Sequence, residues 1–89
     1  MLRKELVVRA KGGLRGANLE KFTRTAGEFD SRIDIESSNM DKIINAKSIM
    51  GMMSLAIKDG DSIMLVINGS DENEALDALT HLVESGFKA

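Results

Sequence analysis

Eighty-nine residues, 43% hydrophobic and 29% charged, make one domain over residues 1–89, near the lower size at which a single core sustains a fold. A net charge of −2 with 3% aromatics, and neither Trp nor Tyr, excludes a basic nucleic-acid footprint and a base-stacking platform. The absence of cysteine excludes disulfides and thiolate metal sites, and one histidine leaves little imidazole for a metal, so neither metal nor cofactor is expected. No apolar run approaches a membrane span, and Met1–Glu5 lacks the apolar stretch of a signal peptide, so a cytoplasmic protein is the expectation.

Leu6-Val7-Val8 lies in a β-branched stretch with Leu6, Val8 and Ala10 on one side, which predicts a strand over Leu2–Ala10, broken by Gly12-Gly13. Leu19, Phe22, Ala26 and Phe29 fall on one helical stripe, which predicts a helix over Leu19–Phe29 with Asn18 as its N-cap. Ser31, Ile33 and Ile35 alternate with Arg32, Asp34 and Glu36, the pattern of a half-buried strand. Ser37-Ser38-Asn39 reads as a turn and Ile43-Ile44 as a short strand after it. A second helix is expected from about Ala46 to Ile57, ended by the turn signal Lys58-Asp59-Gly60-Asp61. Ile63, Leu65 and Ile67 form a strand apolar enough on both sides to be central in its sheet. The last helix opens at Ser70 or Asp71, where Asp71 and Glu74 have the spacing of a capping box, and it ends at Gly86. The order β-α-β-β-α-β-α predicts an α+β fold, a single sheet with its helices on one face.

No catalytic constellation stands out, and an enzyme is not expected. His81 lies roughly opposite the Leu79–Leu82 stripe and reads as a solvated surface residue. Gly12-Gly13-Leu14-Arg15-Gly16 matches neither glycine-rich phosphate fingerprint. The second helix carries more information. Ile49, Met50, Met52, Met53, Leu55, Ala56 and Ile57 cover well over half its circumference, more than the stripe of about 100° that packing on a sheet requires. One arc holds Met52, Leu55 and Ala56; the other holds Ile49, Met50 and Met53. The excess is either a wide core contact or an exposed surface of adaptable methionines, and periodicity does not choose. Ser48 is a natural N-cap for this helix, and a helix start also suits a phosphate.

Asn45-Ala46-Lys47-Ser48-Ile49-Met50-Gly51-Met52-Met53-Ser54-Leu55-Ala56 resembles the regulatory-serine segment of the HPr family, the small phosphocarriers of the bacterial sugar phosphotransferase system. Gly69-Ser70-Asp71-Glu72-Asn73-Glu74-Ala75-Leu76 resembles the start of that family's last helix. The resemblance implies an HPr-like open-faced β-sandwich, a four-stranded antiparallel sheet covered on one face by three helices. It also implies that Ile49, Met50 and Met53 are exposed for docking while Met52 and Leu55 face the core.

The chain departs from the family at the phosphoacceptor. Where the family has Gly-Ile/Leu-His-Ala-Arg-Pro-Ala, this sequence reads Gly13-Leu14-Arg15-Gly16-Ala17-Asn18-Leu19. Arg15 stands at the histidine, and arginine has no free lone pair with which to accept a phosphoryl group. Ala17 and Asn18 replace the motif's arginine and proline. The loop from Glu36 to Ile43 also looks slightly longer than is usual in the family. The family's Crh branch likewise lacks the histidine, keeps the serine and acts in carbon catabolite regulation. By that resemblance the chain is expected to be a regulatory, Crh-like protein phosphorylated on Ser48. Its docking residues would be Arg15, Lys47, Ile49, Met50 and Met53. Its expected partners are an HPr-type serine kinase and a transcriptional regulator or metabolic enzyme. An inactivated phosphocarrier and an unrelated small ligand-binding domain are the alternatives.

Overall fold

The alternating stretches become four strands, β1 (Leu2–Val7), β2 (Arg32–Ser37), β3 (Lys42–Asn45) and β4 (Ser62–Asn68), and three helices complete the fold: α1 (Gly16–Gly27), α2 (Ile49–Met53) and α3 (Glu72–Glu84). This computed structural model describes residues 1–37 and 42–88. Ser37, expected to open a turn, is the last residue of β2, while the rest of that turn and residues 38–41 of the loop from Glu36 to Ile43 lie outside the described residues.

All strand pairs are antiparallel, in the order β1-β4-β2-β3. β4 is therefore an inner strand, as its apolar character on both sides predicts. The register aligns Leu6 with Ile63, Lys4 with Leu65, and Ile35 with both Leu65 and Ile44. Ile33, Ile35, Ile63, Leu65 and Ile67 consequently share the face on which Leu19, Phe22, Met52, Leu79 and Val83 are buried. Among the described residues no helix covers the opposite face. There Arg3 donates two hydrogen bonds to the Glu36 carboxylate, at 3.1 and 3.2 Å, across the β4 strand that separates them.

The expected boundaries of β1, α1 and α2 shift. β1 stops at Val7 because the following residues bond to the 58–61 turn instead of a strand: Val8 N–H donates to the Asp61 carbonyl at 2.9 Å, and Ala10 N–H to an Asp59 carboxylate oxygen at 3.2 Å. α1 begins at Gly16, with Arg15 as its cap residue, and ends at Gly27. Asn18 does not cap it; that side chain lies within the first turn and donates backwards to the Gly13 carbonyl at 2.9 Å.

α2 spans five residues instead of the twelve expected from Ala46 to Ile57. Ala46 extends the sheet, its N–H donating to the Ile33 carbonyl at 2.8 Å, and Ala56 adopts a left-handed φ of 49° that ends any helical path. Ala46, Leu55 and Ile57 are core residues all the same, delivered by extended and looped chain. Asp71 is the cap residue of α3, yet it makes no capping hydrogen bond and forms no capping box with Glu74. Glu72 accepts from Gly69 N–H instead, at 3.1 Å. Gly86, at φ 70°, follows the last residues of α3 as expected.

Candidate functional site

Ser48 follows the turn after β3, its N–H donating to the Asn45 carbonyl at 3.0 Å, and caps α2, its Oγ accepting from Gly51 N–H at 3.1 Å. Glycine at position 51 lets the helix seat closely against Ile44. A methyl group there would stand 2.9 Å from the Ile44 side chain and 3.2 Å from the Ser48 hydroxyl. With α2 so short, the helix dipole offers a phosphate much less than a long helix would; the Gly51 amide donor remains.

Seating α2 on Ile44 turns Met52 inward, 1% exposed, and leaves Met50 84% and Met53 65% exposed, with Ile49 about half exposed. The choice left open by periodicity is thereby decided. Met52 and Leu55 face the core and Ile49, Met50 and Met53 face outward; Ala56 does not belong with the buried arc and is exposed.

Arg15 arrives at this surface through the β1–α1 loop. Gly13, at φ 74°, lies against the chain that follows α2, and Leu14 N–H donates to the Ile57 carbonyl at 3.1 Å. That contact brings Arg15 and Met53 to the walls of one depression of about 220 Å³, floored by Leu14 and Leu19. Lys47 and Ile49 line a second depression of about 210 Å³ with Glu20, Thr23 and Arg24 of α1. Lys47 is not a freely swinging cation, because its Nζ donates to the Phe29 carbonyl at 2.6 Å.

Arg24 lines the second depression and was not among the candidates drawn from the sequence. Its signal was spacing: Glu20, Thr23 and Arg24 fall at i, i+3 and i+4 on the α1 face beside Lys47. His81 is exposed on α3, which packs on α1, β1 and β4, and it lines neither depression.

Sequence comparison bears on the same residues. The family model described as the PTS HPr component phosphorylation site matches residues 2–85. The chain belongs to the HPr family. It is 44% identical over 84 residues to the HPr-like protein Crh of Halalkalibacterium halodurans, covering 94% of this chain and 98% of that one. It is 40% identical over 87 residues to the phosphocarrier protein HPr of Neisseria meningitidis serogroup A, covering 98% and 96% of the two chains. The crystal structure of HPr-C-His from Thermoanaerobacter tengcongensis superposes with a TM-score of 0.94 at 40% identity, covering 100% of this chain and 98% of that one. Both phosphocarriers and Crh proteins thus stand among its HPr-family relatives, and the open-faced sandwich is the fold they share. Among the described residues no helix is long and apolar enough to cross a membrane.

Proposed function

We propose that this HPr-family protein is a regulatory docking protein of the Crh kind, switched by phosphorylation of Ser48 by an HPr-type serine kinase in the cytoplasm. The observation that carries the reading is that half-buried Ser48 caps a helix whose Ile49, Met50 and Met53 side chains are exposed, with Arg15 sharing a depression with Met53. Exposed apolar side chains beside a modifiable hydroxyl suit a surface read by another protein, since a phosphate would add about −1.5 to −2 charges at the edge of the apolar patch. Arg24 and Lys47, which flank Ile49, offer cations within the same surface. Arg15 at the family's phosphoacceptor position supports a protein that no longer relays phosphate, and the regulator it serves would be a transcription factor or metabolic enzyme of carbon catabolite control.

The test is treatment with an HPr-type serine kinase and ATP, followed by intact mass and site mapping. One phosphate on the wild type and none on Ser48→Ala is the expected result. Equal labelling of both proteins, or none of the wild type beside a positive control, defeats the reading. The second reading, a phosphocarrier that has lost its chemistry and gained no regulatory role, is favoured by the similarity to the Neisseria phosphocarrier and predicts that unlabelled outcome.

A further inference from the structure

Away from the Ser48 surface, a cleft of about 400 Å³ opens where residues 9–11, the first turn of α1 and the end of α3 meet. That volume lies within the range of small-molecule sites, roughly 300–1,000 Å³. Arg9, Lys11 and Lys88 line it, with Asn18, Gly86 and one carboxylate, Glu84. Among the described residues, none of these three cations makes an ion pair or a side-chain hydrogen bond.

Nor are they needed to neutralise the carbonyl end of α3. The Ser85, Gly86 and Phe87 amides close back on His81, Val83 and Leu82, and Lys21 Nζ reaches the Phe87 carbonyl at 2.9 Å. The wall is also held in shape. Gly86 and Phe87 both take left-handed φ values, 70° and 65°, and a non-glycine residue there is sparsely populated unless its surroundings impose it. Burial of the Phe87 ring, the two backbone bonds and the Lys21 bond impose it, and the turn carries Lys88 round to the same cleft as Arg9 and Lys11.

We infer that this cleft binds a small organic anion bearing two or more phosphate or carboxylate groups, with the Arg9 guanidinium and the Lys11 and Lys88 ammonium groups as its recognition elements. Guanidinium and ammonium donors recognise both anions by charge-assisted hydrogen bonds, and three cations around one small cleft favour a ligand with more than one charge. The site is independent of any event at Ser48.

Titration of the 15N-labelled protein with inorganic pyrophosphate and, separately, with citrate, at constant ionic strength, tests it. The expected result is saturable amide shifts confined to residues 9–11, 18 and 84–88. Saturation by pyrophosphate alone assigns a phosphate ligand, and saturation by citrate alone a carboxylate one. The double variant Arg9→Gln/Lys11→Gln should weaken binding about tenfold and Lys88→Gln less, both with unchanged melting temperature because all three side chains are exposed. Linear, unsaturated shifts, equal shifts around Arg15, Arg24 and Lys47, or the same affinity in the variants would overturn the assignment.

Discussion

At the scale of single residues, Asp71 shows how one carboxylate can serve tertiary structure instead of its own helix. It accepts from Asp30 N–H and Ser31 N–H at 2.9 Å each and from the Ser31 hydroxyl, tying the start of α3 to the chain entering β2. The Ser31 hydroxyl first, then the Asp30 amide, hold its carboxyl below the ordinary aspartate value. Glu72 is lowered likewise, by Gly69 N–H first and then by the N-terminal ammonium. A carboxyl whose pKa is depressed on folding stabilises the fold above its unfolded pKa, and that contribution is lost as pH falls through the folded value. Stability should therefore decline on the acid side, below about pH 4. Asp71→Asn should flatten this limb in part and converge with the wild type at the lowest pH, as read from urea midpoints between about pH 2 and 6. Identical acid limbs would exclude Asp71 as a contributor. Arg15 supports a prediction of another kind. Phosphoenolpyruvate and the general phosphotransferase enzyme should leave the wild type without acid-labile phosphate. Arg15→His should label weakly at most, because Ala17 supplies no guanidinium to hold the phosphate. Stoichiometric labelling of the wild type would contradict the loss of the carrier site. Arg15 and Ser48 were legible in the sequence because each is defined by its chemistry and by the neighbours that carry the family resemblance. The bonds of Asp71 were not, since its partners lie forty or more positions away.

At the scale of elements, α2 buries Met52 and exposes Met53, which helical periodicity already places on different arcs. Met52→Ala should cost about 2–5 kcal/mol, because it removes a fully buried side chain from the joint between the helix and the sheet. Met53→Glu, at a position 65% exposed, should shift the melting temperature by no more than a few degrees while abolishing partner binding. Thermal unfolding beside a binding assay checks both. A large fall in melting temperature for Met53→Glu would mean that the side chain is packed and the surface is not a docking patch. Strand identity was readable because alternation and burial coincide in Ile33, Ile35, Ile63, Leu65 and Ile67. Helix length was not. Ala46, Leu55 and Ile57 are as apolar as any helical stripe demands, but they enter the core from a strand extension and a loop. Hydrophobicity records burial and not the backbone path that achieves it.

At the scale of the whole molecule, Arg15 and Met53 share one depression because the β1–α1 loop is clasped to the chain leaving α2. A methyl group on Gly13 would lie 2.5 Å from the Ile57 carbonyl oxygen and 2.8 Å from Lys58 Cα, at a φ of 74° that side chains avoid. Gly13→Ala should therefore cost several kcal/mol and part Arg15 from Met53, whereas Gly12→Ala, at φ 83° in open space, should cost about 1 kcal/mol. Chemical denaturation of the two variants distinguishes the backbone clash from the conformational cost they share, and equal losses would remove the clasp. Alternation, local motifs and side-chain chemistry are properties of neighbouring residues, so the strand set, the element order, the family and the arginine at position 15 were all legible along the chain. Packing in three dimensions settled that α2 is short and that Arg24 lies beside Lys47 and Ile49, and it buries Met52 and exposes Met50 and Met53 as the family resemblance implies. It also decided that Arg9, Lys11 and Lys88 share a cleft. Each of these depends on which distant surfaces meet, and that is set by packing of the sheet against its helices and not by the spacing of residues along the chain.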